Sequence, residues 1–169
     1  MNSIVRYLIL LSLVCRVLLA QDSTYLKKSR DVPADFKGAH QFLEAIKYPQ
    51  QPDEVFDAKR APHWDVNKVM SFISARGIDY TDINHPGKTH FRFSDVRQQI
   101  TQRKGAAFDI VSHLAHIYSI PYKQYSELSF RRDNDKYIIA MSSWYTLTFV
   151  NTGGRFHLIA LDYTTVEGD

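Results

Sequence analysis

Cysteine is nearly missing from this 169-residue chain: Cys15 is its one example. A lone thiol excludes an intrachain disulfide framework and a cysteine-ligated metal centre. Also missing are a phosphate-cradling glycine loop, an evident nucleophile motif, an internal repeat and a low-complexity linker. Neither sign of charge dominates, with 21 Lys and Arg against 18 Asp and Glu, and no basic run is present. Nucleic acid is therefore not an expected partner.

What is there begins with an export signal. Arg6 lies in a short basic start, an apolar run follows from Tyr7 to Val14, and Ala20 precedes Gln21. The run is too short, and interrupted by Arg16, to span ~30 Å of hydrocarbon. Residues 1–20 are expected to be removed, Cys15 with them, which predicts a secreted or periplasmic protein with no membrane span after signal removal. Two arginines leave and no acid, so the net charge falls from +3 to +1. The remainder divides into a polar arm, residues 21–30, and a single domain, residues 31–169, large enough for one core.

Helical spacing dominates the first part of that domain. Asp31 and Pro33 open a helix whose apolar positions are Phe36, Ala39, Leu43 and Ile46, and Tyr48-Pro49 stops it. Residues 55–60 suggest a short helical turn. Asp65 caps a helix carrying Val66, Val69, Met70 and Ile73, with Gly77 as its exit. Residues 78–93 read as a small hairpin turning at His85-Pro86-Gly87-Lys88. Ser94 is expected to cap a helix to Arg103, and after a break at Lys104-Gly105 a further helix runs from Ala106 to Tyr118.

The last part changes period. Residues 136–166 hold two β-prone runs around Asn151-Thr152-Gly153-Gly154, and residues 125–131 predict a third strand, completing an antiparallel meander. Placing Val150 opposite Arg155 pairs Phe149 with Phe156, Leu147 with Leu158 and Tyr145 with Ala160, one apolar face. Trp144, Thr146, Thr148, His157, Ile159, Leu161 and Tyr163 then share the other, which needs a second layer or lines a cavity. The fold class is α+β, with N-terminal helices packed on a curved C-terminal antiparallel sheet, cone-like in outline.

Candidate chemistry is sparse. Asp109, His113 and His116 share one sector of a helix, where a carboxylate and two imidazoles suit general acid–base work or a divalent metal with His157 as a further ligand. A solvated polar stripe has the same spacing, and neither a metal nor another cofactor is assigned. Trp144, Thr148, His157 and Tyr163 are candidate ligand-binding residues. Asp82, His85 and His90 form a third group, which ordinary turn chemistry also explains. The ten Tyr and ten Phe fall mostly on core phases.

Two resemblances follow. Lys104-Gly105-Ala106-Ala107-Phe108-Asp109, with Ile120-Pro121 and His157, resembles the helix start of transglutaminase-like cysteine peptidases. Ala107 occupies the nucleophile position, so such a relative would be catalytically dead. The pattern Trp144-Tyr145-Thr146-Leu147-Thr148-Phe149-Val150, then Gly154-Arg155-Phe156-His157-Leu158-Ile159-Ala160-Leu161, resembles nuclear transport factor 2-like (SnoaL-like) domains. That resemblance implies a cup whose sheet wraps a helix around an apolar pocket, used for small-ligand binding, for isomerase or hydrolase chemistry, or for dimerisation. The expected function is an exported, non-enzymatic binding or accessory module for a small molecule or a protein, a homodimer being one form. The alternative is a cofactor-poor or metal-dependent hydrolase or isomerase working through Asp109, His113, His116 and His157.

Overall fold

The computed structural model describes residues 31–121, 127–141 and 144–164; the expected signal, the polar arm and Cys15 lie outside them. Ala39, Phe42, Leu43 and Ile46 are all fully buried, the i, i+3, i+4, i+7 set of an amphipathic helix, and α1 (Lys37–Ile46) forms around them after a 3-10 turn at Ala34–Phe36. A second 3-10 turn, Ala58–Arg60, stands where residues 55–60 suggested a helical turn.

The helix capped by Asp65 is shorter than its apolar stripe predicts. α2 (Val66–Met70) keeps the cap, Asp65 Oδ1 accepting from Lys68 N–H at 3.1 Å, but stops before Ile73. The cause is tertiary. Ile73 bridges to Leu158, with Leu158 N–H donating to the Phe72 carbonyl at 2.6 Å and Ser74 N–H to the Leu158 carbonyl at 3.1 Å. Pairing with the sheet has displaced the next helical turn.

β1 (Ile78–Asp82) and β2 (His85–Phe91) form the expected hairpin, but its turn is Ile83-Asn84 rather than His85 to Lys88. Asp82 Oδ1 accepts from Asn84 N–H at 2.8 Å, an Asx-type closure that fixes the turn earlier, and the ladder shifts register between Thr81 and Asp82. α3 (Phe93–Gln102) starts after Arg92, not at Ser94; the Arg92 guanidinium reaches both oxygens of Asp95, at 2.9 and 3.2 Å, across its first turn.

α4 (Ala106–Ser119) is buried nearly all round, because α1, α3, the Ala58–Arg60 turn and the sheet surround it. Part of its supposed polar side is consequently interior, Ser112 being 0% and His116 3% exposed, while Asp109 stays outside. Four further strands follow: β3 (Leu128–Asp133), β4 (Lys136–Met141), β5 (Tyr145–Thr152) and β6 (Arg155–Tyr163).

The fold is α+β, and the six strands of the described residues run β2-β1-β6-β5-β4-β3. The β3–β6 meander is antiparallel, while β1 lies parallel to β6, so the sheet is mixed. Front-face residues Ile139, Leu147, Phe149, Leu158 and Leu161 join the buried faces of all four helices in one core. Each such Leu, Ile or Phe contributes about 1.5–3 kcal/mol on removal from water.

The register differs from the expected one in two ways. Gly153 and Gly154 take φ of +60° and +82°, so two residues suffice for the turn, and Thr152 rather than Val150 faces Arg155. Asn151 Oδ1 accepts from Gly154 N–H at 2.9 Å and closes it. Phe149 therefore pairs with Leu158. Further along, an extra residue at Ile159 shifts the ladder, so Thr148 meets Ala160 and Leu147 meets Leu161. That bulge turns Leu161 and Tyr163 onto the core face, and puts half-exposed Thr146, Thr148, Ala160 and Asp162 behind.

Candidate functional site

The bulge decides which candidate residues meet. Tyr163, turned forward, stacks at 6.2 Å from Trp144 and 5.1 Å from Tyr145 at one end of the sheet, where α4 brings His113. Thr148 and His157 remain behind the sheet. His157 lies six residues up β6 from Tyr163, roughly 20 Å at strand rise, paired with Val150. The proposed set Trp144, Thr148, His157 and Tyr163 is thus divided between two faces and two ends. The buried Nδ1 of His157 has no hydrogen-bond partner among the described residues.

His113 and His116 stay close, but Asp109 does not join them. It is exposed in the first turn of α4, where a carboxylate suits the positive end of the helix dipole. His113 Nδ1 lies 2.7 Å from the Tyr145 hydroxyl, and its ring is packed edge-on by Phe56 at 4.9 Å, Tyr145 at 5.7 Å, Tyr163 at 5.8 Å and Trp144 at 6.0 Å. Burial, with repulsion from His116, pushes His113 down to about 4. Burial pushes the Tyr145 phenol far above its ordinary value, and lifts Tyr80 to about 12 with help from Asp82 and Tyr163. At neutral pH the pair is an uncharged hydrogen bond inside an aromatic box. The box is filled by the chain's own imidazole.

His116 sits one turn further on, beneath the segment that links α1 to α2. Its ring contacts Phe56 at 5.5 Å and Tyr48 at 6.1 Å, and burial holds its pKa below the ordinary value against the opposing pull of the Glu54 backbone and Asp53. Above it opens a groove of about 280 Å³ lined by residues of the 48–62 segment, among them Tyr48, Pro49, Asp53, Asp57 and Arg60, with His116 on its floor. Tyr48 N–H donates to Ser119 Oγ at 2.9 Å, and Trp64 Nε1–H donates to the Ile46 carbonyl at 2.8 Å, so the segment is anchored at both ends. Arg103 binds behind it, donating to the Pro62 carbonyl at 2.7 Å and the Ala61 carbonyl at 2.5 Å.

Tyr48, Phe56 and the groove were not singled out by sequence. Their signal was Pro49, Pro52 and Pro62 around two aromatics, a connection too stiff to be a slack loop. Asp82, His85 and His90 do not converge: Asp82 Oδ2 lies 3.1 Å from His85 Nδ1, whereas His90 Nδ1 lies 2.8 Å from Asp79. Among the described residues, no three His, Cys, Asp or Glu side chains group so as to hold a metal ion. Ala107, at the position resembling a peptidase nucleophile, is buried, and its N–H donates to Gln99 Oε1 at 2.8 Å. No helix of the described residues is long and apolar enough to cross a membrane.

Comparison with known proteins returns nothing: no family model, curated protein or solved structure matches this chain.

Proposed function

We propose that this protein is an exported, non-enzymatic binding module, and that a small molecule enters the groove over His116. The observation that carries the reading is the groove itself: a ~280 Å³ concavity floored by a buried imidazole and walled by a doubly anchored, proline-stiffened segment. The surroundings of His113 favour binding over proton transfer. Its hydrogen bond is to a phenol, its ring is boxed in by aromatics, and Asp109, the carboxylate that would orient it, faces solvent.

The succession of helices, a hairpin, two more helices and a four-stranded meander supports the resemblance to nuclear transport factor 2-like domains, which implies small-ligand binding, isomerase or hydrolase chemistry, or dimerisation. Export rests on residues 1–20, and the expected compartment is secreted or periplasmic. A fragment screen followed by amide chemical shifts tests the reading: bound fragments move Gln50, Gln51 and the His116 ring. Hits that instead map to the back face of the sheet, or a full screen without a shift at the groove, would reject it. Amino-terminal sequencing of the exported protein should begin at Gln21.

A further inference from the structure

The segment that walls the groove is held firmly at its ends and lightly in its middle. Tyr48 and Trp64 fasten it through Ser119 and the Ile46 carbonyl, and the Arg103 guanidinium engages the carbonyls of Lys59, Ala61 and Pro62 and the Phe108 ring. Between these anchors residues 49–57 form neither helix nor strand, none of them is buried, and Val55 is 78% exposed. What the middle sets against the body of the protein is the Phe56 ring, 4.9 Å from His113 and 5.5 Å from His116, and the Glu54 backbone, hydrogen-bonded to His116. Both holds are on the same two imidazoles of α4.

The groups around those imidazoles are unequal to charging them. His113 faces Tyr145 and Tyr163 of the sheet and the Trp144 indole, and Asp82 and Tyr80 act on Tyr145. His116 faces Tyr48 and Asp53, both on the segment itself. Asp53 favours a charged ring, but it is exposed and bonded to Arg60, which Asp57 also approaches. Arg103 and Asp57 act on Tyr48 in opposite directions. On α1, His40, Glu44 and Lys47 gather at Tyr118 instead.

We infer that residues 49–57 are an acid-released strap: protonation of His113 and His116 expels Phe56 from its seat over them, and the strap lifts while its anchors at Tyr48 and Arg103 hold. A charged imidazole under the ring lacks water, and attraction to the aromatic face does not replace it. Lifting the ring hydrates both cations. His113 takes up its proton near 6.5 when solvated and near 4 when covered, so the lifted form gains as pH falls through that window, by up to roughly 30-fold between pH 7.5 and 5 from this residue alone. Opening also dismantles the groove, and acid release of a bound molecule follows; that consequence alone rests on the groove being the ligand site.

The strap is read without any ligand, by its rate of cutting with proteinase K relative to a synthetic peptide of residues 49–60, which corrects for the protease's own pH dependence. From pH 7.5 to 5 the relative rate should rise at least tenfold, with first cuts inside residues 49–57. His113→Gln combined with His116→Gln should match wild type at pH 7.5 and hold its relative rate within threefold at pH 5. If the double variant does not fold, each single substitution should remove part of the rise. A flat wild-type profile, first cuts in α4 or β5, or a rise that the substitutions leave unchanged overturns the inference, and the groove reading stands or falls separately on the fragment screen.

Discussion

His113 Nδ1 and the Tyr145 hydroxyl meet at 2.7 Å, and burial holds both groups neutral. The bond ties the long central helix to the first residue of β5, at the end of the sheet where Tyr163 and Trp144 also gather. It is a polar contact set within a largely aromatic packing arrangement.

Removing the hydroxyl should be more damaging than removing the pair. Tyr145→Phe leaves His113 Nδ1 without its partner, and an orphaned buried group costs about 1–3 kcal/mol. Tyr145→Phe combined with His113→Leu should cost less than the two single losses added together. Urea melts of the four proteins should give a coupling energy above about 0.5 kcal/mol; strict additivity would mean the contact is incidental.

Acid should weaken the fold from near neutrality downward. His113 titrates near 6.5 when unfolded and near 4 when folded, so between those values the unfolded chain takes up a proton that the folded one refuses. Stability is therefore independent of this group above pH 6.5 and falls as pH drops towards 4, by at most about 3 kcal/mol before solvent screening is allowed for. His116 and His40, both lowered chiefly by burial, act in the same direction. Denaturant melts from pH 7.5 to 4 should show this slope, and His113→Gln should flatten it.

Phe56 touches both imidazoles, at 4.9 and 5.5 Å, so one ring covers both. Phe56→Ala should admit water to both and move the His113 pKa from about 4 back towards 6.5. Ring-proton titration by NMR measures this directly. A His113 pKa unchanged in the variant would show that Phe56 does not exclude solvent from it.

Gly38 presses against Phe156. A Cβ at position 38 would stand 2.4 and 2.6 Å from two ring carbons, and that ring is itself held 4.9 Å from Tyr137. Alanine favours helix over glycine by about 1 kcal/mol, while overpacking costs about 1–3 kcal/mol. Gly38→Ala should therefore be neutral to about 2 kcal/mol destabilising despite its better propensity. Adding Phe156→Leu should restore a net gain relative to Phe156→Leu alone, readable as a shift in melting temperature.

Local pattern carried much of the architecture. The helical spacing of Phe36, Ala39, Leu43 and Ile46 located α1, Asp65 located the start of α2, and the two β-prone runs located the final hairpin. At Ile73 a distant contact, the bridge with Leu158, overruled a local preference, while at the hairpin one local signal beat another, Asp82 closing a turn ahead of Pro86-Gly87. The antiparallel hairpin and meander were legible, but the pairing that joins the two was beyond local pattern. The parallel pairing of β1 with β6 joins residues some eighty positions apart, for which side-chain alternation in either strand contains no address.

The amino acids alone determined the α+β class, the near-neutral charge of the domain and which helical positions are apolar, since these follow from periodicity and counting. Tertiary structure decided which candidate residues share a place. One extra residue at Ile159 changes the face of everything beyond it, because strand side chains alternate with period two, and so Tyr163 joins His113 while His157 and Thr148 go behind. The groove over His116 exists for the same kind of reason: a segment with a single 3-10 turn is fastened at Tyr48 and braced by Arg103, contacts that no local pattern records.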